Sequence, residues 1–133
     1  MKKIFLTLAL VLCTLGTFAQ SSTLWFRTTE FAWKQKEYGV WSEWTNWEKS
    51  NMKVKFDLNK DQIIIFSHNI QIYTVLSLEE PPYDPSGQQV KYRVIDQDDD
   101  FGYIRLRIEN NGNSQVYVDF ANIKWVYNVV RTQ

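Results

Sequence analysis

The chain has one cysteine, one histidine, five glycines and three prolines in 133 residues, and its fifteen basic side chains are matched by fifteen acidic ones. Each scarcity excludes something. A solitary Cys13 excludes internal disulfides, thiolate metal sites and paired-cysteine redox chemistry. A solitary His68 means that a serine triad would depend on it entirely. So few glycines and prolines exclude collagen-like repeats and flexible linkers, and no glycine-rich phosphate loop is present. The charge balance argues against a nucleic-acid binder driven by phosphate neutralisation.

What the chain does have is aromatic mass: 16% Phe, Tyr and Trp, with six tryptophans. It begins with an export pattern. Lys2 and Lys3 form a positive start, Ile4 to Leu15 an apolar run, and Thr17-Phe18-Ala19 a small-x-small cleavage site before Gln20. Residues 1–19 are therefore expected to be a signal peptide and 20–133 a single all-β domain, exported to the periplasm or the exterior. The apolar run is shorter than the roughly 20 residues a retained membrane span needs. Leu12 before Cys13 departs from the small residue of a lipoprotein signal, so the mature chain is expected to be cysteine-free, with a net charge of about −2 once Lys2 and Lys3 are gone.

From Ser22 onward apolar residues recur with a period of two, in short runs divided by turn-forming residues. The strands expected are Ser22–Gln35, Val40–Trp47, Met52–Leu58, Gln62–Ser67, Ile70–Leu78, Gln89–Asp96, Tyr103–Glu109, Ser114–Phe120 and Ile123–Val130. Met52, Val54, Phe56 and Leu58 alternate with Lys53, Lys55 and Asp57, one set for a core and one for water. Connections too short for helical crossovers make neighbours antiparallel. The prediction is a single antiparallel meander of about eight or nine strands, a small barrel in preference to a sandwich. A three-residue loop Asn111-Gly112-Asn113 would pair Ile108 with Val116, Leu106 with Val118 and Ile104 with Phe120. It would set Arg107 opposite Tyr117 and Arg105 opposite Asp119 on the outer face. Gln62-Ile63-Ile64-Ile65-Phe66 is apolar on both sides, so its outer side needs cover.

Trp41, Trp44 and Trp47 form a W-S-x-W-T-x-W run that resembles, over about seven residues, the tryptophan ladder of thrombospondin type 1 repeats, a fold that depends on disulfides absent here. Gly39-Val40-Trp41 matches the G-x-W of lipocalin barrels, although a long strand precedes it here. A spacing of three suits neither strand nor helix unless a bulge re-aims one indole. Packed inside, the indoles would fill the core. Left exposed, with Trp33 nearby, they would form a stacking platform for a sugar ring, peptide or partner surface.

Asp96, Asp98 and Asp100 are candidate metal ligands by alternation, but the calcium-loop positions that require Gly and Glu are Phe101 and Arg107. An acidic turn is the simpler reading, and no metal or cofactor is expected. Carboxylates such as Glu79 or Glu80 with Asp84 could serve hydrolysis, though nothing fixes their separation. Ser86-Gly87 followed by Tyr92 resembles the loop by which secreted bacterial lysozyme inhibitors plug an active-site cleft, departing from it at Gln88. The Trp-Ser-x-Trp run, the Ile-rich strand, Gln71-x-Tyr73 and the Asp-rich turn together resemble a group of small exported β-proteins of Gram-negative bacteria. That resemblance implies export and the all-β fold, and carries over no functional residues.

The function expected is a non-catalytic exported binding module using Trp33, Trp41, Trp44 and Trp47, with a protein or carbohydrate partner, no nucleic acid and no membrane span in the mature form. The alternatives are an inhibitor of a secreted or periplasmic hydrolase such as lysozyme through Ser86, Gly87 and Tyr92, and a structural envelope-assembly component.

Overall fold

The computed structural model describes residues 23–132; the expected signal peptide and Cys13 lie outside them. Ten strands follow in order: β1 Thr23–Glu37, β2 Val40–Trp41, β3 Glu48–Lys49, β4 Lys53–Asp57, β5 Gln62–Ile65, β6 Gln71–Glu79, β7 Gly87–Ile95, β8 Phe101–Glu109, β9 Ser114–Asp119 and β10 Ile123–Arg131. All pair antiparallel, and the described residues contain no helix. Eight of the strands run β1-β4-β5-β6-β7-β8-β9-β10, and β10 returns to β1 over Phe26↔Arg131 to Gln35↔Ile123. The meander closes into a barrel, which removes the exposed sheet edges of an open sheet.

The interior is the apolar half of each alternation. Phe26, Val54, Phe56, Ile63, Ile65, Tyr92, Val94, Ile104, Leu106, Val116 and Val118 are all essentially sealed from solvent. Phe26 meets Phe56 edge-on at 5.7 Å between centroids, and Phe56 meets Tyr92 at 5.9 Å. Each such pair contributes about 0.5–1.5 kcal/mol beyond the area it buries.

Two irregularities decide what the wall presents outside. The first is a bulge in β1 between Thr28 and Glu30, which switches the inward residues from Leu24, Phe26 and Thr28 to Phe31, Trp33 and Gln35. The Thr28 hydroxyl accepts from the Met52 N–H at 2.7 Å and lies 2.8 Å from the Ser50 hydroxyl. At this level β1 exchanges the regular partner β4 for the irregular stretch 40–52. The second is the connection 80–86, which folds over the outside of β7 and β8. Arg107, on the outer face of β8, holds it by donating from Nε to Asp84 Oδ2 at 2.7 Å.

The β8–β9 hairpin differs from expectation by a shift of two in register. Ile108 pairs with Ser114, Leu106 with Val116, Ile104 with Val118, Arg105 with Tyr117 and Arg107 with Gln115. The loop is Asn110-Asn111-Gly112, closed by Glu109 and Asn113, with Gly112 at φ +92° and Asn111 Oδ1 accepting from the Asn113 N–H. Both registers keep the same residues inside, so the hydrophobic pattern does not separate them. The left-handed position falls to Gly112, which carries no Cβ to clash there. The outer side of β5 lies in an apolar band: Ile64 sits between Lys55 and Ile72, with Trp25 one strand further and Phe66 stacked on Trp25 at 6.1 Å.

Candidate functional site

Beyond the last β1–β10 pair, β1 continues into a hairpin arm with β2, turned by Tyr38 and Gly39 at φ +51° and +76°. Positive φ at both positions is the signature of a type I′ turn, where a Tyr is strained. Tyr38 is nevertheless there, and fully exposed. The chain then returns along β1 without forming a regular strand. The Ser42 N–H donates to the Gln35 carbonyl and the Thr45 N–H to the Trp33 carbonyl, so three residues of this stretch span two of β1. That ratio explains the tryptophan spacing. Trp41 lies opposite Lys36, and Trp44 reaches the level of Lys34 with the Lys34 ammonium 4.7 Å from its ring centroid. Both indoles therefore project to the outside. Trp44 and Trp47 are 39% and 48% exposed, while Trp41 is half-buried. Trp33 is the exception in the expected group of four. The bulge at Thr29 turns it to the inner face opposite Trp125, so it does not share a surface with Trp41 and Trp44.

Charge collects around Trp41. Its ring lies within 5.7 Å of the Lys34 ammonium, 5.6 Å of Lys36 and 4.8 Å of Lys124. Lys34 and Lys124 are direct cross-strand partners, a like-charge pairing that is destabilising on its own. The ring offsets part of this through its negative face. Asp119 lies opposite Lys124 on the other side, yet its Oδ2 is taken by Arg105 Nε at 2.7 Å and its Oδ1 is buried without a partner. Among the described residues no ion pair forms to Lys34, Lys36 or Lys124.

At the foot of Trp41 is an open groove of about 730 Å³ on the outside of β7 to β10. Trp41 and Lys124 stand on one side and Pro81 and Pro82 of the 80–86 strap on the other; Lys91, Tyr103, Arg105 and Asp119 form the floor. Cations and rings alternate here, with Lys91 4.4 Å over Tyr103 and Arg105 4.2 Å over Tyr117. The strap is firmly anchored. Hydrogen bonds from Arg107, Ser86 and Gln89 hold the Asp84 carboxyl well below the usual carboxylate range, and the same contact raises Arg107.

Ser86, Gly87, Tyr92 and Asp96 are each tied into the barrel or its turns. Ser86 is exposed, but its hydroxyl donates to Asp84 and accepts from Arg107. Gly87 is required because a Cβ there would run into the Ile108 carbonyl. Tyr92 lies inside the barrel, fully buried with its hydroxyl unpartnered, and burial pushes its pKa up. It therefore shares no surface with Ser86 and Gly87. Asp96 Oδ1 accepts from the Asp98 and Asp100 N–H groups at 2.9 Å each, which makes the acidic stretch a turn built on Asp96. Among the described residues no three His, Cys, Asp or Glu side chains converge as a metal site. His68 is exposed in the 66–70 turn. Two hollows of about 490 and 460 Å³ flank Tyr73, Asp96 and Trp125 at the barrel rim.

The lysines and Tyr38 are what sequence reasoning missed. Lys34 and Lys36, two apart in a strand beside the tryptophan run, were the available signal; Lys124 joins them only through barrel closure. Compared with known proteins, the chain matches no family model, and no curated protein resembles it at a significant level.

Proposed function

We propose that the chain is an exported, non-catalytic binding module whose outer face around Trp41 and Trp44, extended by Tyr38 and Trp47, engages a protein or carbohydrate partner. One observation carries this reading. Large aromatic side chains stand exposed beside half-buried lysines that have no carboxylate partners among the described residues, on the outer side of the barrel wall. Exposed aromatic surface is unfavourable in water and strained turns are disfavoured, so their coincidence at the arm favours a role in binding. The test is a combined glycan and peptide array probed with wild-type protein and with the Trp41→Ala, Trp44→Ala double variant, both checked for fold by circular dichroism. A ligand held by the wild type and lost by the variant is expected. Equal retention by a folded double variant overturns the assignment.

The apolar band of Trp25, Ile64, Phe66 and Ile72 favours a second reading, a self-associating structural component. Sedimentation finding only monomer at high concentration would dispose of it.

A further inference from the structure

Resting on that reading of the outer face, we propose that the groove beneath Trp41 is a subsite for an anionic sugar, a saccharide ring bearing a carboxylate or a phosphate. Lys91, Arg105 and Lys124 line the groove, Lys34 and Lys36 reach the Trp41 ring at its edge, and of these five only Arg105 has an ion-paired carboxylate among the described residues. All five are half-buried, where an added negative charge is less screened than in open water. Lys34 and Lys124 repel across the β1–β10 pair, and an anion shared between them relieves that repulsion. Lys124 leaves its cross-strand acid Asp119 and lies over Trp41 instead, so its ammonium faces the groove's aromatic wall and remains available.

The rest of the lining selects a ring over a bare ion. Trp41 offers a flat face against which the C–H side of a sugar packs, and the exposed Glu80 adds an acceptor for hydroxyl groups. The groove volume lies within the range of small-ligand sites, about 300–1,000 Å³. A neutral sugar would leave the lysines uncompensated, and an acidic peptide side chain would bring no ring to the Trp41 face and no hydroxyl donor to Glu80.

The experiment is calorimetric titration of the purified protein with four probes: trigalacturonate, neutral galactotriose, a mannose 6-phosphate disaccharide and pentaglutamate. At least one anionic sugar is expected to bind at least about tenfold more tightly than galactotriose and pentaglutamate, and to weaken at least about tenfold in the Lys34→Gln, Lys124→Gln double variant. Lys55→Gln, on the far side of the barrel, should bind as wild type does. Preference for trigalacturonate assigns the anion as carboxylate, and preference for the phosphorylated sugar as phosphate; either supports the proposal. Galactotriose binding as tightly as the acids, or pentaglutamate binding best, overturns the anionic-sugar assignment while the aromatic face stands. Absence of binding by all four probes also overturns it, and the array with the Trp41→Ala, Trp44→Ala variant then decides the broader reading separately.

Discussion

Two tryptophan–lysine clusters sit on the outer wall, and they differ in one respect. At the β4–β5 side Lys55 lies 5.2 Å from the Trp25 ring and also pairs with Asp57 at 3.3 Å, while Phe66 stacks on the indole. At the arm Trp41 meets three lysines, and none of them is ion-paired among the described residues. A cation over an indole is ordinary packing when charge is balanced. The imbalance at Trp41, not the contact itself, distinguishes that face. A mean composition of fifteen against fifteen conceals it entirely.

The largest expected effect removes the support of one cluster only. Thr28→Val deprives the Met52 N–H of its acceptor where β1 exchanges partners, and should lower stability by about 1–3 kcal/mol in denaturant unfolding. Hydrogen exchange should rise across 42–52 and stay unchanged at Trp25. Next come the indoles. Trp25→Ala loses the Phe66 stack, about 1 kcal/mol, independently of salt. Trp41→Ala exposes the lysine repulsion, so its loss of stability should shrink as salt rises to 1 M. Identical salt responses would erase the distinction between the two clusters.

Smaller still is a contrast between the two lysines. Lys34→Gln removes a like-charge repulsion together with the contact to the Trp44 ring, so its net effect should stay within about 0.3 kcal/mol of zero, whereas Lys55→Gln loses both its ring contact and its carboxylate and should lower stability by about 0.5–1 kcal/mol. Thermal melts at low ionic strength measure both. The smallest expected effect is none. Because the Asp84 carboxyl is lowered by Arg107, Ser86 and Gln89, its contribution is complete above the unfolded value near 3.8 and disappears only as pH falls below that toward the folded value. Exchange protection of the Ser86 amide, which Asp84 Oδ1 accepts, should therefore match at pH 7 and pH 5 after correction for intrinsic rates. Loss of protection by pH 5 would mean that the groove wall loosens in mild acid.

The barrel was legible because pleat alternation is a strictly local signal. Val54 and Phe56 against Lys53 and Lys55, or Ile104 and Leu106 against Arg105 and Arg107, declare their faces without knowledge of any partner. The hairpin register was less legible, since Asn110-Asn111-Gly112-Asn113 offers two three-residue loops of the same parity. Exposed indoles were expected, and Trp44 and Trp47 are exposed. The inward turn of Trp33 was missed, although the five-residue step from Phe26 to Phe31 carries the parity change of the bulge. Tyr92 follows the alternation of Val90 and Val94 into the core, a local signal that outweighs its spacing from Ser86 and Gly87. The lysine surplus was not legible at all. It exists only because closure brings Lys124 of the last strand beside Lys34 of the first.

The most direct measurement is a two-dimensional amide and indole NMR titration with whichever anionic sugar binds. Shifts are expected at the Trp41 indole and at Lys34, Lys91, Tyr103 and Lys124, with the Trp25 indole and Lys55 unmoved. Shifts centred on Trp25 and Phe66, or on Tyr73 and Trp125 at the barrel rim, would contradict the assignment of function to the uncompensated lysines around Trp41.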